Sequence, residues 1–297
     1  MTSIAAAESS STQRSSALFN IIQLIKHIQH IQQGVEFTYY TFAAAKTFMN
    51  PIVTSSFQIT YVVFSFFIAL IGSLIALLLA SHIKQTDGSF STLHALMAGM
   101  SLGGVGVWTT HFVGMMALKL DVASSYSLVE TGLSMVLVVA ASSLALGFVA
   151  RAPKQMNRKI LAGSVLGLSV ATMHYIGMYG IRFGGYITWD YAYVAASAVI
   201  AVVAATVALH LSFQSTTLMQ RLGSAELMAV GICAMHYTGM EAANFVCTTE
   251  NRTAFQRGFG YVTSFEVLSL VIIAVVTMIS LGIIFLMFQP IQLNRRA

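Results

Sequence analysis

The chain has 297 residues, of which 57% are hydrophobic and only 8% charged, with a mean hydropathy of +0.78 and a formal charge of +5. Soluble domains carry about a quarter charged residues, so this composition excludes a water-soluble domain of any size and implies an integral membrane protein. The basic residues form no stripe and read as topology signals at helix ends, so no nucleic-acid partner is expected.

Residues 1 to 16 are rich in Ser and Ala and are expected to be disordered. From Leu18, the apolar positions Ile21, Ile22, Ile25, Ile28 and Ile31 recur at helical spacing against Gln23, Lys26, His27, His30 and Gln33. That pattern predicts an amphipathic helix on the membrane or against the bundle. Apolar runs long enough to cross a bilayer follow at about 57–81, 92–117, 127–149, 159–182, 190–212, 222–243 and 265–288, each near the roughly 20 residues a spanning helix needs. The fold class expected is therefore all-α, a bundle of about seven transmembrane helices. Gly99, Gly103, Gly104 and Gly106 in the second run, Gly163 and Gly167 in the fourth, and Gly223 and Gly231 in the sixth would let helices approach closely. Two cysteines, Cys233 and Cys247, are too few for a disulfide framework.

Lys84, Arg151, Lys154, Arg158, Lys159, Arg221, Arg295 and Arg296 collect on one side of the spans. The other side has Lys46, Lys119, Arg182, Arg252 and Arg257, mixed with acidic residues. By the positive-inside bias the C-terminus is cytoplasmic, the N-terminus outside, and the even-numbered spans run outward. The sequence after the last run is too short to fold, so the chain reads as a multi-pass module of the cell membrane whose signal passes to a separate cytoplasmic output protein.

A short motif recurs within the even-numbered runs. It reads Thr110-His111-Phe112-Val113-Gly114-Met115, then Met173-His174-Tyr175-Ile176-Gly177-Met178, then Met235-His236-Tyr237-Thr238-Gly239-Met240. The histidines are 174 − 111 = 63 and 236 − 174 = 62 residues apart, a regularity that argues for a threefold internal repeat. Each unit is one plain span followed by one histidine-bearing span. Three parallel helices then bring His111, His174 and His236 to one depth near the outer face. In each motif the histidine shares a helix face with the methionine four residues on, and the glycine between leaves that face open to a neighbouring helix or an ion.

Imidazole with thioether suits copper, above all Cu(I), through His111, His174 and His236 with Met115, Met173, Met178, Met235 and Met240. Zinc and iron more commonly recruit carboxylate or thiolate, and the motifs hold none, although Cys233 lies three residues before His236. A haem with His and Met axial ligands is a further chemical alternative. A single intramembrane histidine commonly serves only as a helix–helix hydrogen-bonding group, and methionine as core filler. Three copies at matching depth turn the balance toward function, because intramembrane ionisable groups are functional candidates by default. Phe112, Tyr175, Tyr237 and Trp108 read as interfacial aromatics. His94, His210, Glu130 and Glu226 read as paired or snorkelling groups.

At these motifs the chain resembles the MHYT-domain membrane sensors, named for the Met-His-Tyr-Thr sequence that residues 235–238 spell in full. The resemblance covers roughly residues 50 to 245, with Thr110 standing where the motif has its first methionine. It implies a bacterial-type sensory domain that binds a copper ion through the motif histidines and methionines and detects oxygen, carbon monoxide or nitric oxide. Such domains are often fused to cytoplasmic units that make or degrade cyclic dinucleotides. The organisation expected is a tail over 1–50, the membrane domain over 51–245, and a last span with a short tail over 246–297. A metal-handling transporter or permease and a membrane enzyme using the histidines in acid–base or hydrolytic roles are the competing classes. The first lacks an acidic pathway and the second a paired carboxylate near the motifs, so no enzyme activity is expected.

Overall fold

The structure is a computed structural model that describes residues 53–85, 87–215, 217–249, 252, 262–263 and 265–288. The amphipathic segment expected near residues 18–33 lies outside the described residues. Helices fill the expected runs: α1 (Ile59–Ala80), then α2 (Thr92–Gly99), a π-helix (Met100–Thr109) and α3 (Thr110–Ala117) in continuous succession, α4 (Leu128–Arg151), α5 (Met156–Tyr179), α6 (Tyr191–Ser212), α7 (Leu218–Glu241) and α8 (Phe265–Phe288). The fold is all-α and polytopic. By length and hydropathy alone α1, α4, α5 and α6 each suffice to cross a membrane. The π-helical stretch divides the second run, and Arg221, Glu226 and Glu241 fall within α7.

The surface is inverted relative to a soluble protein. Phe64, Val136, Leu144, Val203 and Leu281 stand exposed, while Ser65, Ser73, Ser101, Ser134, Ser142 and the three motif histidines are buried. A protein places its polar groups inside and its large apolar ones outside when the surrounding solvent is hydrocarbon.

Short strands connect the helices at one end of the bundle: β1 (Ser55–Phe57), β2 (Leu118–Leu120), β3 (Ser124–Ser127), β4 (Ile181–Phe183), β5 (Gly185–Trp189), β6 (Ala243–Cys247) and β7 (Val262–Thr263). They pair antiparallel as β1–β2, β3–β4 and β5–β6. Each pair joins the strand that enters a plain helix to the strand that leaves the histidine-bearing helix of the same unit. The threefold repeat is thereby visible as strand, plain helix, motif helix, strand. β7 adds to the free edge of β3 and leads into α8, a plain helix that packs on the π-helix.

The plain and motif helices alternate around a closed ring in the order α1, π-helix with α3, α4, α5, α6, α7 and back to α1. Glycine sets the close crossings. A Cβ added to Gly72 would stand 2.4 Å from the backbone nitrogen of Gly106, and one on Gly163 would stand 2.4 Å from Cα of Thr206. Gly99 against Ser143 and Gly167 against Val202 behave alike, at 2.5 Å from backbone atoms. Gly223 departs from expectation: nothing lies within 4 Å of its Cβ position, so no packing requires glycine there. At the end away from the strands lie Lys84, Arg151, Lys154, Arg158, Lys159 and Arg221, with Arg151 over the ring of Phe90 and Arg158 over that of Phe148. At the strand end Arg182 pairs with Glu130, and Arg252 with Asp121.

Candidate metal centre

His111 lies on α3 just after the π-helix, His174 on α5 and His236 on α7, each about one and a half turns before its helix gives way to a strand. Equal position on three helices of equal direction carries all three side chains to the bundle axis. Their exposures are 2%, 0% and 1%, so the site is enclosed. The Nδ1 atoms converge: His111 to His174 3.1 Å, His111 to His236 3.2 Å and His174 to His236 3.2 Å. The rings stand nearly perpendicular to one another, at 82° to 85°.

Hydrogen bonding among the histidines cannot satisfy this triangle. A neutral imidazole carries one N–H, so each Nδ1 is either a donor or a lone pair. Among three nitrogens at least two are therefore alike, and two like atoms face each other at hydrogen-bond distance. The opposite nitrogen gives no relief, since Nε2 of His111, His174 and His236 is buried and has no hydrogen-bond partner. With the proton on Nε2, three lone pairs aim at one point. A triangle of side 3.2 Å has its centre 3.2/√3, about 1.8 Å, from each corner, and metal–imidazole bonds run about 2.0–2.1 Å. The donor set fits a small metal ion, which His111, His174 and His236 would hold. At 3.1–3.2 Å apart, no two of these nitrogens can serve together as the axial pair of one porphyrin.

Among the described residues these three are the His, Cys, Asp or Glu side chains that gather as a metal-type cluster. Cys233 is half-buried outside it, and both cysteines are free thiols. Met115, Met173, Met178, Met235 and Met240 are all buried, and Met235 also lines a small apolar cavity with Val107, Val170 and Ile232. Thr110, in the place of the missing methionine, donates its hydroxyl to the Ser65 carbonyl at 3.2 Å. His111 nevertheless holds the same position as the other two histidines.

Of the motif aromatics, Phe112 and Trp108 are not interfacial anchors, whereas Tyr175 and Tyr237 are half-buried. Phe112 and Trp108 are almost fully buried, with ring centroids 4.9 Å apart, and Trp108 Nε1 donates to the Thr131 carbonyl at 3.0 Å. Each aromatic following a histidine stands edge-on to it: Phe112 at 4.7 Å, Tyr175 at 4.9 Å and Tyr237 at 4.8 Å. Tyr175 OH bonds Ser197 Oγ at 2.7 Å, and Tyr237 OH bonds Ser65 Oγ at 3.1 Å. These serines escape a reading of the sequence. Ser65, Ser134 and Ser197 each donate to the carbonyl three residues back, so the tyrosines are the donors between the side chains. Ser134 sits on the plain helix that follows Phe112, the aromatic without a hydroxyl. The interval 197 − 134 = 63 keeps the motif period, but 134 − 65 = 69 breaks it and hides the equivalence of Ser65.

Of the other titratable groups, Glu130 is held by Arg182 and Ser127, and His94 Nδ1 bonds Ser91 Oγ at 2.7 Å. His210 is half-buried with Nδ1 unpartnered, and Glu226 is exposed on α7. On β3, burial pushes the Tyr126 phenol up to about 12.

The MHYT family, described as "Bacterial signalling protein N terminal repeat", matches residues 104–163, 167–225 and 230–295. Each matched unit begins in or just before a motif helix and contains the next plain helix, the first two ending within the motif helix after it, so each spans the boundary between the structural units. The bifunctional diguanylate cyclase/cyclic di-GMP phosphodiesterase MucR of Pseudomonas aeruginosa is 35% identical over 196 residues, 64% of this chain and 28% of that protein. The signaling protein YkoW of Bacillus subtilis is 34% identical over 197 residues, 64% of this chain and 24% of that protein. The cyclic di-GMP phosphodiesterase NbdA, also of Pseudomonas aeruginosa, is 37% identical over 145 residues, 47% of this chain and 18% of that protein. The chain thus spans 18% to 28% of the length of these relatives. No solved structure matches.

Proposed function

The chain belongs to the MHYT family of bacterial signalling proteins, and from that premise we propose that it is a membrane sensory module whose input site is a copper ion held by His111, His174 and His236. The observation that carries the reading is the convergence of three buried Nδ1 atoms within 3.2 Å. Neutral imidazole and thioether bring no formal charge. Burying a dication among them without carboxylate or thiolate costs far more than burying a singly charged ion, which favours Cu(I). The ion would supply a Lewis-acidic centre for a diatomic ligand such as oxygen, carbon monoxide or nitric oxide. The protein's own part is to hold three lone pairs on one point and to exclude water from it.

The clustering of Arg151, Lys154, Arg158 and Lys159 in one short loop supports a cytoplasmic assignment for the end away from the strands, which puts the histidines near the outer face. MucR and NbdA carry names in cyclic di-GMP turnover, and the aligned segments cover only 28% and 18% of them. An output of that class, on the cytoplasmic side, is the partner we assign.

Elemental analysis and optical spectra of the detergent-purified protein test the reading. Copper near one equivalent, retained against a weak chelator and responsive to carbon monoxide in the reduced state, is the expected result. Protein that takes up no copper from a buffered Cu(I) source refutes it.

A further inference from the structure

Each motif glycine faces a histidine, and never the one in its own motif. A Cβ on Gly177 would stand 2.3 Å from Nε2 of His111, one on Gly239 2.5 Å from Nε2 of His174, and one on Gly114 2.3 Å from Nε2 of His236. The first unit's histidine rests on the second unit's glycine, the second's on the third's, and the third's on the first's. An imidazole is rigid, with Nδ1 and Nε2 separated by the width of the ring. The bare backbone beneath Nε2 therefore fixes how far Nδ1 reaches toward the axis.

We infer that Gly114, Gly177 and Gly239 are positioning residues for the metal site, each setting the reach of a ligand supplied by another repeat, so that the three units close one site cyclically. This rests on the copper reading above. The geometry leaves little tolerance. An ordinary Cβ contact begins near 3.4 Å, so an alanine at Gly177 displaces the His111 ring by 3.4 − 2.3, about 1 Å, whereas metal–ligand distances hold to about 0.2 Å. One added methyl group thus removes a ligand contributed by a helix other than its own.

The test crosses Gly114→Ala, Gly177→Ala and Gly239→Ala with His111→Ala, His174→Ala and His236→Ala in the purified full chain. Copper retention is read by competition with a Cu(I)-selective chelator, the nitrogen count by X-ray absorption, and stability by thermal unfolding without metal. Each glycine variant is expected to lose copper affinity as severely as a histidine variant, with any retained copper bound by fewer nitrogens. Without metal, the stability lost in Gly177→Ala should be regained with His111→Ala and not with the other two. Gly239→Ala should pair in this way with His174→Ala, and Gly114→Ala with His236→Ala. The double variants remove the clash and so keep the stability readout available where a single glycine variant fails to fold. Wild-type copper affinity in the glycine variants overturns the inference, as does coupling of each glycine to its own motif's histidine or additivity in all nine pairs. Wild-type protein that takes no copper overturns instead the reading on which it rests.

Discussion

Replacing His174 with alanine removes one corner of a nearly equilateral triangle, and the geometry of the remaining pair sets the cost. His111 and His236 keep Nδ1 atoms 3.2 Å apart. An ion at about 2.0 Å from both subtends 2·arcsin(1.6/2.0), about 106°, between them. Two-coordinate Cu(I) prefers a linear arrangement, which needs the two nitrogens about 4 Å apart rather than the 3.2 Å found here. Loss of a mere outer-shell partner already costs about 10- to 100-fold in metal affinity, so loss of this donor should cost at least about 100-fold, or about 2.7 kcal/mol. The three Nδ1 separations agree within 0.1 Å, so His111→Ala and His236→Ala should cost the same, despite Thr110 in the first motif. Chelator competition on the reduced, detergent-purified protein measures each affinity. Unchanged copper binding after loss of both His174 and His236 would refute the reasoning.

Gly163→Ala and Gly167→Ala each drive a methyl group into the backbone of α6, at 2.4 and 2.5 Å, and should lower stability by about 1–3 kcal/mol in thermal or denaturant unfolding. Gly223→Ala meets nothing within 4 Å on the same kind of helix and should be neutral or stabilising by up to about 1 kcal/mol; a loss like that of Gly163→Ala would show the contrast to be wrong. Ser197→Ala and Ser65→Ala leave Tyr175 and Tyr237 without their acceptors and should cost about 1 kcal/mol each, whereas Ser134→Ala, opposite Phe112, should cost less. A reporter fused after α8 should be active in the cytoplasm, and activity confined to the outside would invert the orientation and place the histidines near the inner face.

The motif spacing made the repeat and the histidine cluster legible, because one period of 63 or 62 residues with one direction of travel leaves three side chains little choice but to meet. The helix bounds were legible for a similar reason, since apolar runs are cut by short polar breaks. The strands were not, because segments as short as Leu118–Leu120 or Ile181–Phe183 carry no alternation and exist only through their partners across the unit. The π-helix was likewise invisible; its glycines announced close packing, which the approach of Gly106 to Gly72 bears out, without announcing a wider turn. Trp108 and Phe112 look like interfacial aromatics in sequence because burial inside a membrane bundle and burial at its rim select the same side chains. Which histidine covers which glycine depends on the hand of the ring, and no one-dimensional spacing records a hand.

The methionines supply the remaining test of the donor set. Met178 and Met240 share a helix face with His174 and His236, and both are buried, so leucine at either position preserves volume and apolarity while removing only the sulfur. If the thioethers bind the ion in addition to the imidazoles, Met178→Leu and Met240→Leu should weaken Cu(I) less than loss of a histidine does, because imidazole is the stronger donor. They should at the same time move preference toward Cu(II) or zinc, since the soft ligand is the one removed. X-ray absorption should then show copper–sulfur scattering in the wild type that declines in each variant. A spectrum with nitrogen alone in the wild type, and unchanged metal preference in both leucine variants, would reduce the site to its three imidazoles and assign Met178 and Met240 to packing.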